Sequence, residues 1–108
     1  MAFIVEEHAV QLIRELRPLV GRLDASLRDQ IRRAANSVAF NVSEGGRRMG
    51  KDRVQHFRIA AGSAAETRTA VRTAVAWGYV PERETSGALD LLDQILAILW
   101  RLTHPRVC

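Results

Sequence analysis

One cysteine occurs in 108 residues, and it is the last of them, Cys108. An internal disulfide is excluded, and a terminal Cys with nothing after it is not a prenylation box. Three prolines are too few to break up the chain, and aromatic residues make up only 6%. No strict apolar/polar alternation lasts long enough to argue for a strand. No run of about 18 apolar residues is present to span a bilayer. The opening residues, MAFIVEEHAV, lack a basic segment and carry Glu6 and Glu7 where a signal peptide would be apolar. These absences set the expectation of a cytoplasmic protein without a membrane partner. Lysine is also nearly missing: of the 16 basic residues, 15 are arginine and Lys51 is the only lysine.

What is present is a helix-forming composition. Hydrophobic residues make up 47% of the chain, ample for a core, and Ala, Leu, Arg and Glu abound. The length suits one domain over residues 1–108, whose folding should bury about 60–70% of the unfolded surface. The net charge of +4 is unevenly spread. Residues 28–72 hold ten basic side chains against four acidic ones, a net +6, and the remainder holds six against eight, a net −2. A concentrated basic half suits an acidic partner such as RNA or DNA; a solvated helical surface in an arginine-rich chain would read the same way.

Apolar spacing divides the chain into four helical segments. The first carries Val5, Ala9, Leu12, Leu16, Leu19 and Leu23 at intervals of 4, 3, 4, 3 and 4, a heptad seam widened by Ile13 and Val20. Pro18 interrupts it by removing the hydrogen bond to the Arg14 carbonyl, which predicts a kink or break near Arg17. Gly21 and Asp24 mark a turn, with Asp24 or Ser26 as the next N-cap. The second segment carries Leu27, Ile31, Ala34 and Val38, then Asn41 at the next seam position, and Gly45-Gly46 reads as its C-terminal signal. The third begins near Lys51-Asp52 and runs through Val54, Phe57, Ala61, Ala64, Arg68, Val71 and Val75 to Gly78. After Pro81 the fourth carries Leu89, Leu92, Leu96 and Leu99, with Leu91, Ile95, Ile98, Trp100 and Leu102 beside them, and ends at Pro105. Four helices with short turns predict an all-α, antiparallel up-down-up-down four-helix bundle. The surplus apolar positions Leu91, Ile98 and Trp100 point to burial against a second copy of the chain.

The candidate chemistry is sparse. Gly45-Gly46-Arg47-Arg48-Met49-Gly50-Lys51-Asp52 has the G-x-x-x-x-G-K spacing of a phosphate-binding loop, but Asp52 replaces the required Ser or Thr and the loop follows a helix rather than a strand. The same stretch gathers Arg47, Arg48, Lys51 and Arg53 near a helix N-terminus, where a phosphate backbone can be met electrostatically. His8, His56 and His104 stand far apart without zinc-ligand spacing and read as surface or half-buried structural residues; no metal or cofactor is expected. Ser37, Ser43 and Ser63 lack a nucleophile elbow. Glu44 and Glu66 read as carboxylates able to face each other across two helices, in a structural role rather than a catalytic one. Arg33, Ser37, Asn41 and Glu44 share a face of the second helix, and Ser63 and Glu66 share one of the third beside Gly62, which admits a close backbone. A buried Asn needs partners, so a hydrogen-bonded network of Asn41, Glu44 and an arginine such as Arg68 is expected between these helices.

Gln30-Ile31-Arg32-Arg33-Ala34-Ala35-Asn36-Ser37, Asn41-Val42-Ser43-Glu44-Gly45, Phe57, Ile59-Ala60-Ala61-Gly62-Ser63-Ala64-Ala65-Glu66 and Trp77-Gly78-Tyr79-Val80, in that order, resemble the four-helix-bundle proteins encoded in bacterial 23S ribosomal RNA intervening sequences. The same superfamily includes the accessory variability protein of diversity-generating retroelements. The resemblance implies an antiparallel bundle assembled as a homopentameric ring, a positive surface able to bind nucleic acid, and no attached enzymatic activity. This chain departs from the family pattern at Pro18, in the short turn around Asp24, and in GGRRMGKD, which replaces a lysine- and serine-rich loop. The resulting expectation is a non-catalytic homo-oligomer that binds structured RNA or DNA through Arg47, Arg48, Lys51 and Arg53, with Arg28 and Arg32 on the second helix. The alternative is an oligomeric scaffold whose apolar or basic face holds a protein partner.

Overall fold

A computed structural model describes residues 2–105; Cys108 lies outside the described residues. Four α-helices follow one another: α1 Ala2–Val20, α2 Ala25–Arg47, α3 Gly50–Ala76 and α4 Ser86–Thr103, with a 3₁₀ turn at Glu82–Glu84 before α4. Each helix packs against two others in the cyclic order α1, α2, α3, α4, and the α2–α3 pairing is the most extensive. The result is the antiparallel up-down-up-down bundle, 47 × 23 × 18 Å. At 23 and 27 residues, α2 and α3 exceed α1 and α4, at 19 and 18. The α2–α3 hairpin is therefore the longest part of the molecule.

The heptad seam of α1 is the core seam. Val5, Ala9 and Leu12 are fully buried and Leu16, Leu19 and Leu23 nearly so. Pro18 neither breaks nor ends the helix at Arg17, because α1 continues to Val20. Pro18 has no N–H to give the Arg14 carbonyl, and the helix runs only two residues beyond it. Backbone bonds from Arg22 to Leu19 and from Leu23 to Val20 then close the turn. Asp24 is the N-cap of α2: its carboxylate accepts from the Leu27 amide at 2.9 Å.

Gly45-Gly46 does not end α2, which runs on to Arg47. Gly45 is helical and buried, and a Cβ on it would lie 2.5 Å from Cε1 of Phe57, itself fully buried. Its role is close approach between helices, whereas the left-handed turns fall on Gly50 (φ 61°) and Gly78 (φ 83°). Gly78 closes α3 in a Schellman arrangement, with the Tyr79 amide bonded to Ala74 and the Gly78 amide to Val75.

On α3 the buried stripe is Phe57, Ala60, Ala64, Thr67, Val71 and Ala74. It is rotated from the expected one, and Ala61, Arg68 and Val75 lie at its edge. Thr67 reaches the core because its hydroxyl donates to the Ser63 carbonyl at 2.8 Å, leaving its methyl group to pack. On α4 the core positions are Ala88, Leu92, Ile95 and Leu99, while Leu89 and Leu96 pack from the side.

Candidate nucleic-acid interface

The tip of the α2–α3 hairpin carries four cations within seven residues, Arg47, Arg48, Lys51 and Arg53. The chain turns there through Arg48 and Met49 and re-enters a helix at Gly50. Two carboxylates sit among the cations. Glu44 accepts from both Arg47 and Arg48, and Arg48 donates onward to Asp52 at 2.8 Å. The hydrogen bond from Arg47 and then that from Arg48 hold the Glu44 carboxyl below its usual range. Arg48 is thus occupied by two acids, and its guanidinium clamps the end of α2 to the first turn of α3. Arg53 stands over the Phe57 ring, 5.2 Å from its centroid, and also donates to the Arg48 carbonyl at 3.5 Å. Arg47, with its side chain 70% exposed, and Lys51, which makes no ion pair among the described residues, face solvent most freely. From Glu44 to Arg53 the four cations and two carboxylates leave a net +2.

Arg28 and Arg32 do not join this cluster. Arg32 lies 15 residues before Arg47 on the same helix, roughly 22 Å along its axis at 1.5 Å per residue. Arg28 is half-buried and Arg32 exposed, and Arg32 lies on the side of α2 that faces α1.

The polar stripe forms a network that holds Ser37, Asn41 and Ser63 but not the expected Glu44 and Arg68. Asn41 Nδ2 donates to the Ser37 carbonyl and hydroxyl at 2.9 and 3.1 Å. Its Oδ1 accepts from His56 Nδ1 at 3.0 Å, and Ser63 donates to the Ser37 hydroxyl at 2.7 Å. His56 Nε2 lies 3.9 Å from Asp52, at the edge of the tip. The partner that spacing missed is His56, which meets Asn41 only because the antiparallel hairpin brings residues 15 apart to the same level. Glu44 and Arg68 are not members: Glu44 holds the tip arginines, and Arg68 bonds Asp93 on α4 at 2.9 Å. Arg33 and Glu66 are exposed. The Ser37–Ser63 and Asn41–His56 bonds set a register that leaves Glu66 roughly 18 Å along α3 from the level of Glu44, so the two carboxylates do not pair. Gly62 has nothing within 4 Å of a Cβ built on it, so no neighbouring backbone in this chain needs its missing side chain.

The three apolar positions expected at an interface between copies separate. Ile98 is only 7% exposed and belongs to this chain's own core, and Leu91 packs against that core. Trp100 is exposed and stacks on His104, ring centroids 3.5 Å apart and 17° from parallel. Other large apolar side chains lie open as well, among them Phe3, Phe40, Met49 and Trp77.

Among the described residues no group of three or more His, Cys, Asp or Glu side chains stands ready to hold a metal, and no helix is long and apolar enough to cross a membrane. The fold and its site thus define a small antiparallel helical bundle with a cationic hairpin tip. Residues 3–101 match the model of the 23S rRNA-intervening sequence protein family, and the chain belongs to that family. Its backbone superposes on the crystal structure of a protein of unknown function from the S23 ribosomal protein family of Bacteroides thetaiotaomicron with a TM-score of 0.85, covering 93% of this chain and 98% of that one. At 17% identity that likeness speaks for the fold alone. No curated protein matches.

Proposed function

We propose that this protein is a non-catalytic, homo-oligomeric binder of structured RNA or DNA, and that the hairpin tip is the surface that meets the phosphate backbone. The observation that carries the reading is the placement of Arg47, Lys51 and Arg53 around the N-terminus of the longest helix. There the free amides of the first turn and the helix dipole add to the side-chain charge. Arg48 has a different part: paired with Glu44 and Asp52, it shapes the tip and offers less charge to a ligand. No aromatic side chain interleaves with these cations in sequence, which favours backbone contact over base readout. Several copies in one assembly would multiply a weak contact per chain through effective concentration, and the open Phe3, Phe40 and Trp77 give such an assembly apolar surface to bury.

The test replaces Arg47, Lys51 and Arg53 by Gln and compares binding to a structured ribosomal RNA fragment and to duplex DNA. A control replaces Arg58, Arg72 and Arg101, which lie outside the tip. Loss of affinity in the tip variant alone supports the reading, and equal loss in both moves the contact to the general charge of the molecule. Retained affinity in the tip variant overturns it.

A further inference from the structure

His56 is the titratable member of the polar network between α2 and α3, with its side chain 23% exposed. The network assigns its tautomer. Asn41 Nδ2 bonds the Ser37 carbonyl and must donate there, so Asn41 Oδ1 is an acceptor and the hydrogen of its 3.0 Å bond belongs to His56 Nδ1. In the neutral ring Nε2 is therefore bare. It lies 3.9 Å from Oδ1 of Asp52, the oxygen that Arg48 leaves free by donating to Oδ2 at 2.8 Å. A bare nitrogen opposite a carboxylate oxygen makes no bond. A proton on Nε2 changes that: both ring nitrogens then donate, Nδ1 to Asn41 and Nε2 towards Asp52. The Asp52 side chain is 55% exposed and has room to close the remaining distance.

The other charges near the ring come from the same two helices. On α3, Arg53 stands three residues before His56 and lies over Phe57. On α2, Glu44 is held by Arg47 and Arg48, and Arg48 divides its guanidinium between Glu44 and Asp52. Among the described residues Asp52 supplies the carboxylate found within 4 Å of His56, and none comes from α1 or α4. Imidazole gains its charge between about pH 8 and pH 5. With His56 neutral, residues 44–56 hold four cations against two carboxylates, a net +2; with it protonated they hold five against two, a net +3.

We propose that His56 makes phosphate binding at the hairpin tip pH-dependent: protonated at Nε2 it draws Asp52 to itself and leaves Arg48 with Glu44 alone, so that nucleic acid is held more tightly in mild acid. This rests on the reading of the tip as the phosphate-binding surface. One further phosphate contact is worth about fivefold in affinity at 0.15 M salt, from a slope of about 0.7–0.9 per contact.

The test compares the parent with His56→Asn, whose shorter amide can still donate to Asn41 but does not titrate. Binding to a structured ribosomal RNA fragment is measured at 0.15 M salt from pH 8 to pH 5.5, which stops above the range where Glu44 takes up a proton. NMR of the imidazole nitrogens and of the Arg48 guanidinium follows the free proteins over the same series. The expected result is equal affinity of the two proteins at pH 8, and at pH 5.5 about fivefold tighter binding by the parent than by the variant. The free parent should show the Nδ1–H tautomer at pH 8, and its Arg48 signals should move as His56 titrates. Binding by both proteins with the same response to pH, or the Nε2–H tautomer at pH 8, would overturn this proposal and leave the tip reading standing. No binding by the parent at any pH would overturn both.

Discussion

Replacing Gly45 by Ala tests the packing that holds the hairpin together. The added Cβ would lie 2.5 Å from Cε1, 2.7 Å from Cδ1 and 3.1 Å from Cζ of Phe57. The ring is fully buried, with Arg53 over it, so it has little room to turn aside. Overpacking of a well-filled core costs about 1–3 kcal/mol, and contact with three ring atoms belongs at the upper end. Ala in place of a helical Gly returns about 1 kcal/mol of backbone propensity. The net expectation is a loss of about 2 kcal/mol, or roughly 10 °C in Tm for a domain of this size, read by thermal and urea unfolding at the helical circular dichroism band. The same change in a Phe57→Leu background removes the clash and leaves only the propensity gain. Gly45→Ala as stable as the parent, or an equal loss in both backgrounds, would refute the view that Gly45 is there to admit the Phe57 ring.

Other consequences are smaller. Gly62→Ala, at an exposed helical site with open space around it, should stabilise the isolated chain by about 0.4–1 kcal/mol; a loss of the same size would place a close neighbour there in the assembled protein. Asn41→Leu strands the His56 ring, while the Ser37 hydroxyl keeps its bond from Ser63, and should lower the urea midpoint by the equivalent of about 1–2 kcal/mol with an unchanged slope. Asp24→Ala removes the cap of α2 and should cost about 1 kcal/mol in the same assay. Glu44, its carboxyl held below the ordinary value of 4.5 by Arg47 and then Arg48, stabilises the fold at neutral pH. That contribution starts to fall as the pH drops through 4.5 and is gone below the lowered value. Glu44→Gln should therefore be less stable than the parent at pH 7 and equal to it in stronger acid, and a difference that persists in acid would show another cause.

The fold was legible where leucine, with one valine and one alanine, occupied the seam. In the first segment the 4, 3, 4, 3, 4 spacing has one solution, and all six positions are buried, five in α1 and Leu23 in the turn after it. The third helix is harder to read because alanine occurs on several of its faces. The apolar pattern there admits two neighbouring stripes, and the threonine that decides between them hides its hydroxyl by bonding back to Ser63. Gly45 was ambiguous for a different reason: one residue type serves both the left-handed end of a helix and the close approach of two helices, and only the position of Phe57 separates these uses. Ile98 looked surplus because the fourth helix carries more apolar residues than one stripe needs, yet that helix buries a wide face. Within the candidate site, the cluster of cations could be read directly from GGRRMGKD. That Arg48 is held by Glu44 and Asp52, and that His56 completes the Asn41 network, depends on the hairpin register, which no local spacing encodes.

The central claim is that the hairpin tip meets phosphates, and its most direct measurement is the salt dependence of affinity for a structured RNA, taken on the parent and on the variant with Arg47, Lys51 and Arg53 changed to Gln. The account predicts a straight fall of log affinity against log salt for the parent and a shallower one for the variant, about 0.7–0.9 less steep for each phosphate contact removed. Equal slopes and equal affinities for the two proteins would contradict it.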